Sequence, residues 1–180
     1  MLASKSPRRA ELLQAAGFEF TVRAADVDET PREGEDPHDY VCRLAKEKAC
    51  AIPAASDEIL LAADTTVVLQ HEILGKPTDA ADAVRMLRKL SGKQHRVITA
   101  ICLRRGDLSR TDLESTTVWF AQMTDAEIHD YAASGEPMDK AGAYGIQGLA
   151  SKFIDRIEGS YTNVVGLPVS LVYRNLRDLK

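Results

Sequence analysis

Short β-rich apolar runs alternate along this chain with amphipathic stretches of helical period, and a chain so patterned has to cover a sheet with helices. Residues 59–69 form the strongest apolar run; with Gln70 and His71 as a turn, it pairs with 72–74 as a hairpin. Strands follow at 96–103 and 113–120, split by Arg104, Arg105, Gly106 and Asp107, and a last one covers about 153–157.

The helical stretches carry their own punctuation. Residues 7–16 read as a helix with Ser6 as N-cap, Pro7 at the first position, Leu12, Leu13 and Ala16 on one face, and Gly17 as terminator. A second helix starts after Asp36-Pro37, beyond an acidic loop over 26–36 that contains Pro31 and Gly34. Thr78 caps a third, which runs to about Leu90 with Ala83, Leu87 and Leu90 on one face and stops at Ser91-Gly92. Thr124 to Glu127 is a capping box opening a short helix that ends near Gly135, and a closing helix follows Pro168. The expected fold class is α/β, a mixed sheet with flanking helices. With 180 residues, 44% of them hydrophobic, one sizeable core can form, so a single domain over 1–180 is expected.

No apolar run approaches the roughly 18 residues of a membrane span, and no signal-peptide pattern is present, so the expected compartment is the cytoplasm. Cys42, Cys50 and Cys102 are odd in number and lack Cys-x-x-Cys spacing, which argues against a disulfide framework or a zinc knuckle. The histidines form no His-Glu-x-x-His pattern. A formal net charge of -4 leaves no global basic field to hold a nucleic-acid polymer, so any phosphate binding has to be local.

Local cationic positions therefore matter. Ser4-Lys5-Ser6-Pro7-Arg8-Arg9 puts hydroxyls and two guanidiniums at a helix N-terminus, which reads either as a phosphate cradle or as an ordinary capped surface helix. If residues 1–3 end a strand, the cradle lies at that strand's carboxyl edge. In the second helix Val41, Leu44, Ala45 and Ala49 define the apolar stripe, and Lys48 falls on it; such a lysine either snorkels outward or meets an anion. Asp64 interrupts the apolar run and is the sharpest single signal. It either begins a loop or accepts backbone N–H bonds, or serves as a metal ligand or catalytic base on a rigid strand. Gly75-Lys76-Pro77 and Asp139-Lys140 add cations beside turns. Glycines at 142, 145 and 148 fit neither the P-loop nor the dinucleotide fingerprint and could mark a bulged strand.

Taken together, Ser4 to Arg9, Ala63-Asp64-Thr65, Gly75-Lys76-Pro77 and the run from Asp139 to Gly148 resemble the Maf family over essentially the whole chain. Leu44 to Ala49, Leu90-Ser91-Gly92 and the stretch from Glu158 to Pro168 extend the likeness; the chain departs slightly at its start, where members often carry a few more apolar residues before the serine motif. The resemblance implies an elongated, usually homodimeric α/β fold of the Maf/ITPase type, with a cleft between two lobes of one chain for a nucleoside triphosphate. It also implies a need for a divalent metal, Mg²⁺ or Mn²⁺. Asp64 matches the proton acceptor, Arg8, Thr65 and Gln147 the specificity positions, and Glu29, Lys48, Lys76 and Lys140 polar cleft residues.

On this reading the protein is a hydrolase of phosphoric anhydrides that cuts dTTP and UTP into the monophosphate and pyrophosphate. Glu29 and Asp64 would share a hydrated metal ion, while Ser4, Ser6, Arg9, Lys48, Lys76 and Lys140 would bind the nucleotide's phosphates. The alternatives are a 7-methyl-GTP-type or broader nucleotide pyrophosphatase and, in another class, a nucleotide-binding regulator of cell division.

Overall fold

Leu2–Ala3 is a strand, β1, both of whose residues are fully buried. It pairs in parallel with Leu60–Leu69, β2, through Leu2 with Leu61 and Ala3 with Ala62. The chain turns at Gln70, which takes a φ of 58°, and returns as Glu72–Leu74, β3, antiparallel to β2 with Val67 opposite Leu74. In these two registers residues 63–66 of β2 face neither β1 nor β3. The remaining strands are Gln94–Arg105, β4, Leu108–Phe120, β5, and Ile154–Glu158, β6. The sheet runs β1-β2-β4-β5-β6 with β3 also on β2, and its parallel and antiparallel pairs make it mixed.

This computed structural model describes residues 1–24 and 26–178. Its helices are Pro7–Ala15, α1, Pro37–Cys50, α2, Ala80–Leu90, α3, Asp125–Ala133, α4, Tyr161–Val165, α5, and Val169–Asp178, α6. None is long and apolar enough to cross a membrane. The described residues group into two compact units. One comprises Met1–Thr65, Ile98–Glu114 and the segment from Gly166; the other comprises Thr66–Val97 and Ser115–Val165. In the first, Leu2, Leu13, Leu61, Ala63, Ile101 and Leu171 share a core. In the second, Val67, Leu87, Val97, Phe120, Tyr131 and Phe153 do.

Most element boundaries follow the sequence pattern, and the differences have local causes. Asp79, not Thr78, caps α3: its carboxylate accepts from the backbone N–H of Asp82 at 2.8 Å, while Thr78 donates its own N–H to Asp82. Ser6 sits at the N-cap position of α1 without a side-chain cap bond, and Ala16, beyond the helix end, is exposed. Arg104 and Arg105 are strand residues, because the β4–β5 hairpin continues through polar residues and turns only at Gly106 and Asp107. Helix α5 has too few residues to show a periodic signal.

The glycine-rich segment is no bulged strand but a series of 3₁₀ turns, at Glu136–Asp139, Ala141–Ala143 and Leu149–Phe153. Two of its glycines are there for close approach. A Cβ on Gly145 would come within 2.6 Å of the Lys140 stem, and one on Gly148 would collide with the Glu136 carboxylate.

Candidate active site

Alternation along β2 sets the site of the first unit. Leu61 and Ala63 face the core that holds Leu13 and Leu171, so Asp64, the next residue, points to the opposite face. There it meets Lys48. Asp36 caps helix α2, its carboxylate accepting from the His38 N–H at 2.8 Å, and the helix's stripe of Val41, Leu44, Ala45 and Ala49 is fully buried. Lys48 lies on that stripe and is only 8% exposed. It does not snorkel: its ammonium lies 2.6 Å from Asp64 Oδ1 and 2.5 Å from Glu29 Oε1. Asp64 is 6% exposed and sits inside a continuous strand, so it begins no loop. Burial pushes its carboxyl upward, while Lys48 and then Arg9 pull it down.

Glu29 belongs to the acidic loop, which α2 pins from one side. Tyr40 donates its hydroxyl to the Glu29 carbonyl at 2.8 Å. Arg43 grips Glu35 with Nε at 2.6 Å and Nη2 at 2.7 Å, and Nη2 also donates to the Thr30 carbonyl at 3.3 Å. This bidentate pair holds Glu35 well below the usual carboxylate range. The Glu29 side chain remains 44% exposed, so the ammonium of Lys48 bridges one dry carboxylate and one wet one.

Thr65 returns to the Ala63 face and meets α1. Its hydroxyl accepts from Arg9 Nη2 at 3.0 Å and contacts the Thr99 hydroxyl at 2.9 Å and the Gly166 carbonyl at 3.2 Å. Arg9 also reaches Ser4, Ala63 and Gly166. Ser4 is buried and its Oγ accepts from the Ser6 N–H at 3.1 Å, closing a small turn before the helix. Ser6 and Arg8 are half-buried.

The second unit carries the other expected residues. Lys76 is exposed, next to Gly75, whose carbonyl accepts from the Gly142 N–H at 3.0 Å and so ties that turn to the glycine-rich segment. Lys140 is half-buried; its ammonium donates to the Glu136 carbonyl and to Asp139, each at 2.7 Å. Gln147 is exposed in a turn closed by the Gly148 N–H on the Gly145 carbonyl at 3.2 Å. Glu136 anchors this turn, accepting from the Leu149 N–H at 2.9 Å and from the Tyr131 hydroxyl at 2.8 Å.

Thus Glu29, Lys48 and Asp64 come together, as do Ser4, Arg9 and Thr65, while Lys140 and Gln147 share one loop that touches the turn of Lys76. Sequence reading missed Tyr40, Arg43, Thr99, Glu136 and Gly166. Of these, only Tyr40 and Arg43, three apart on one helix beside an acidic loop, carried a usable signal. Among the described residues no three or more His, Cys, Asp or Glu side chains gather to enclose a cation.

Comparison with known proteins bears on the family and the fold. Residues 1–179 match the family described as Maf-like protein. A protein of Shewanella sp. (strain MR-7) named dTTP/UTP pyrophosphatase is 54% identical over 178 residues, covering 94% of this chain and 92% of that one. One of the same name from Geobacter metallireducens is 53% identical over 184 residues, covering 99% and 95%. The fold is similar to that of the Staphylococcus aureus Ham1 protein, with a TM-score of 0.55 at 14% identity over 99% of this chain and 98% of that one.

Proposed function

Because this chain belongs to the Maf-like protein family, we propose that it is a nucleoside triphosphate pyrophosphatase that hydrolyses dTTP and UTP to the monophosphate and pyrophosphate. The observation that carries the chemistry is Asp64, a carboxylate buried on a rigid strand beside the Lys48 ammonium and a second carboxylate, Glu29. Such a group is poised to take a proton from water in a dry setting.

The donor set suits a divalent ion. Glu29 and Asp64 already converge on one cationic atom, and since among the described residues no third His, Cys, Asp or Glu joins them, the other positions fall to water and substrate phosphates, the arrangement Mg²⁺ prefers. When bound by Glu29 and Asp64, Mg²⁺ or Mn²⁺ would supply charge neutralisation and a more acidic water. The chain's own residues do the rest. Asp64 accepts the proton of a water whose oxygen bonds to the α-phosphorus in line, as the bond from that phosphorus to the bridging oxygen breaks. Lys48, Lys76, Lys140 and Arg8 stabilise the charge on the departing pyrophosphate. Gln147 and Thr65 select the base. The reading includes a cytoplasmic homodimer, whose assembly light scattering of the purified protein would test.

The deciding experiment is a nucleotide panel with Mg²⁺ or Mn²⁺ in which released pyrophosphate and orthophosphate are both measured. Pyrophosphate from UTP and dTTP is expected. Orthophosphate alone would overturn the reaction, and tight nucleotide binding without any release would favour a regulator.

A further inference from the structure

Two arginines follow one another at the start of α1, and a phosphate cradle would use either. The surroundings of Arg9 leave it little capacity for a phosphate. Its Nε donates to the Gly166 carbonyl at 2.8 Å, Nη1 to the Ala63 carbonyl at 2.9 Å and to Ser4 Oγ at 3.2 Å, and Nη2 to Thr65 Oγ1 at 3.0 Å. A guanidinium has five N–H donors in a rigid plane, and these bonds occupy all but one Nη2 hydrogen. Bidentate capture of a phosphate needs a parallel pair of free N–H groups. To provide one, Arg9 would have to abandon the carbonyls of Ala63 or Gly166, and a buried acceptor left without a donor is costly.

The same bonds fix Thr65. Because its Oγ1 accepts from Arg9, the hydroxyl hydrogen is directed to the Gly166 carbonyl or the Thr99 hydroxyl, and one rotamer is selected. Gly166 holds a φ of 127°, which lets its carbonyl serve Arg9 and Thr65 together. Through Ala63, Arg9 also grips the strand one residue before Asp64.

We propose that Arg9 is a positioning residue for base discrimination: it sets the Thr65 hydroxyl and the β2 backbone beside Asp64, and does not bind the triphosphate. This rests on the reading of Thr65 as a specificity position. The test measures kcat and KM for UTP, dTTP and CTP in Arg9→Lys, Thr65→Val and the double variant, with thermal unfolding of each. Each single change is expected to lower the UTP-to-CTP ratio of kcat/KM about tenfold, and the double to lower it no further, since the two act as one unit. A uniform rise in KM for all three nucleotides at unchanged ratio, additive with Thr65→Val, is what a phosphate ligand would give and overturns the proposal. If Thr65→Val alone leaves the ratio unchanged, it is the specificity reading of Thr65 that fails. Unfolding midpoints then decide the positioning role: non-additive shifts in the double variant support it, additive shifts overturn it. Should Arg9→Lys not fold, Ser4→Ala, which removes one acceptor of Nη1, is the milder probe. It is expected to lower the ratio two- to threefold, and a uniform KM effect or none would count against the clamp.

Discussion

The ammonium of Lys48 lies 2.6 Å from a carboxylate oxygen of Asp64 near the middle of β2, both side chains almost withdrawn from solvent. Neither charge would be tolerated there alone, since an unpaired buried ion costs several kcal/mol. The pair is therefore mutually conditional, with the exposed Glu29 as its link to water.

Asp64→Asn keeps the shape of the side chain and leaves Lys48 its contact with Glu29, so the fold should survive. Turnover of UTP and dTTP is expected to fall by about 10²-fold or more, the scale of a positioned proton acceptor. Pyrophosphate release together with thermal unfolding measures both. A folded variant with near-normal rates would reduce Asp64 to a structural partner of Lys48.

Lys48→Met removes the charge but keeps much of the stem, leaving Asp64 buried without its ammonium. Stability should drop by about 3 kcal/mol, the lower end for breaking a buried pair. In an Asp64→Asn background the same change should cost far less. Denaturation midpoints of the four proteins provide the cycle, and equal costs in both backgrounds would contradict the pairing.

Lys48 and Asp64 were legible in the sequence because each broke a pattern: a lysine on an apolar stripe and a carboxylate inside an apolar run. Their pairing was not, because it joins positions on a helix and a strand whose register only tertiary packing sets. The strands β2 and β3 and the capping box at Thr124 were readable because turn and cap chemistry is local. The polar half of the β4–β5 hairpin escaped notice because backbone pairing leaves no apolar trace. Arg9 shows a sharper limit, since Arg8 and Arg9 are chemically identical and the place of Arg9 is set by tertiary partners, the carbonyls of Ala63 and Gly166 and the hydroxyls of Ser4 and Thr65.

Glu136 is the anchor that the glycine-rich segment concealed. Glu136→Gln leaves one acceptor oxygen for two donors, the Leu149 N–H and the Tyr131 hydroxyl; with that oxygen on Leu149, the amide N–H₂ faces a Tyr131 oxygen that already accepts from the Gly145 N–H, and the Tyr131 hydroxyl hydrogen loses its acceptor. The turn holding Gln147 should loosen, raising KM for UTP several-fold with a smaller effect on kcat. Tyr131→Phe, which removes one donor and leaves Leu149 its acceptor, should be milder. Steady-state kinetics of both would show it, and unchanged KM in Glu136→Gln would mean that the turn holds its shape unaided.

His95 predicts an acid sensitivity. It is 2% exposed, edge-on to Phe120 and Tyr144, with Nε2 2.8 Å from the Tyr144 hydroxyl, and burial drives its imidazole from 6.5 down to about 3. The unfolded chain therefore binds a proton that the folded chain refuses. That contribution is fully present above pH 6.5 and is lost as pH falls towards 3, at up to about 1.4 kcal/mol per pH unit. His95→Gln should flatten this part of the stability profile, measured by urea denaturation from pH 7 to pH 4. An unchanged slope would assign the acid loss to other groups.

On the proposed reading Gln147 selects the base; it is exposed in the turn that Glu136 and Gly145 hold in place. Uracil and thymine offer an N3–H donor flanked by carbonyl acceptors. A glutamine amide carries both an acceptor and a donor, so it can accept from N3–H while donating to a carbonyl; a glutamate can only accept and would repel the carbonyl. Guanine instead presents two adjacent donors, which a carboxylate suits. Gln147→Glu is therefore expected to lose UTP and dTTP activity by about 10²-fold or more, because a site built for one hydrogen-bonding pattern strongly rejects its complement. Gain of purine activity should be smaller, since Arg8 and Thr65, the other two proposed specificity residues, stay the same. The measurement is kcat/KM for UTP, dTTP, CTP, GTP and 7-methyl-GTP in both proteins. Because the turn's anchors are Glu136 and backbone groups, not the Gln147 side chain, the fold should be unaffected and the comparison clean. Retained preference for uracil and thymine in the variant would show that Gln147 does not read the base, and would leave Arg8 and the Thr65 hydroxyl set by Arg9 as the groups to test next.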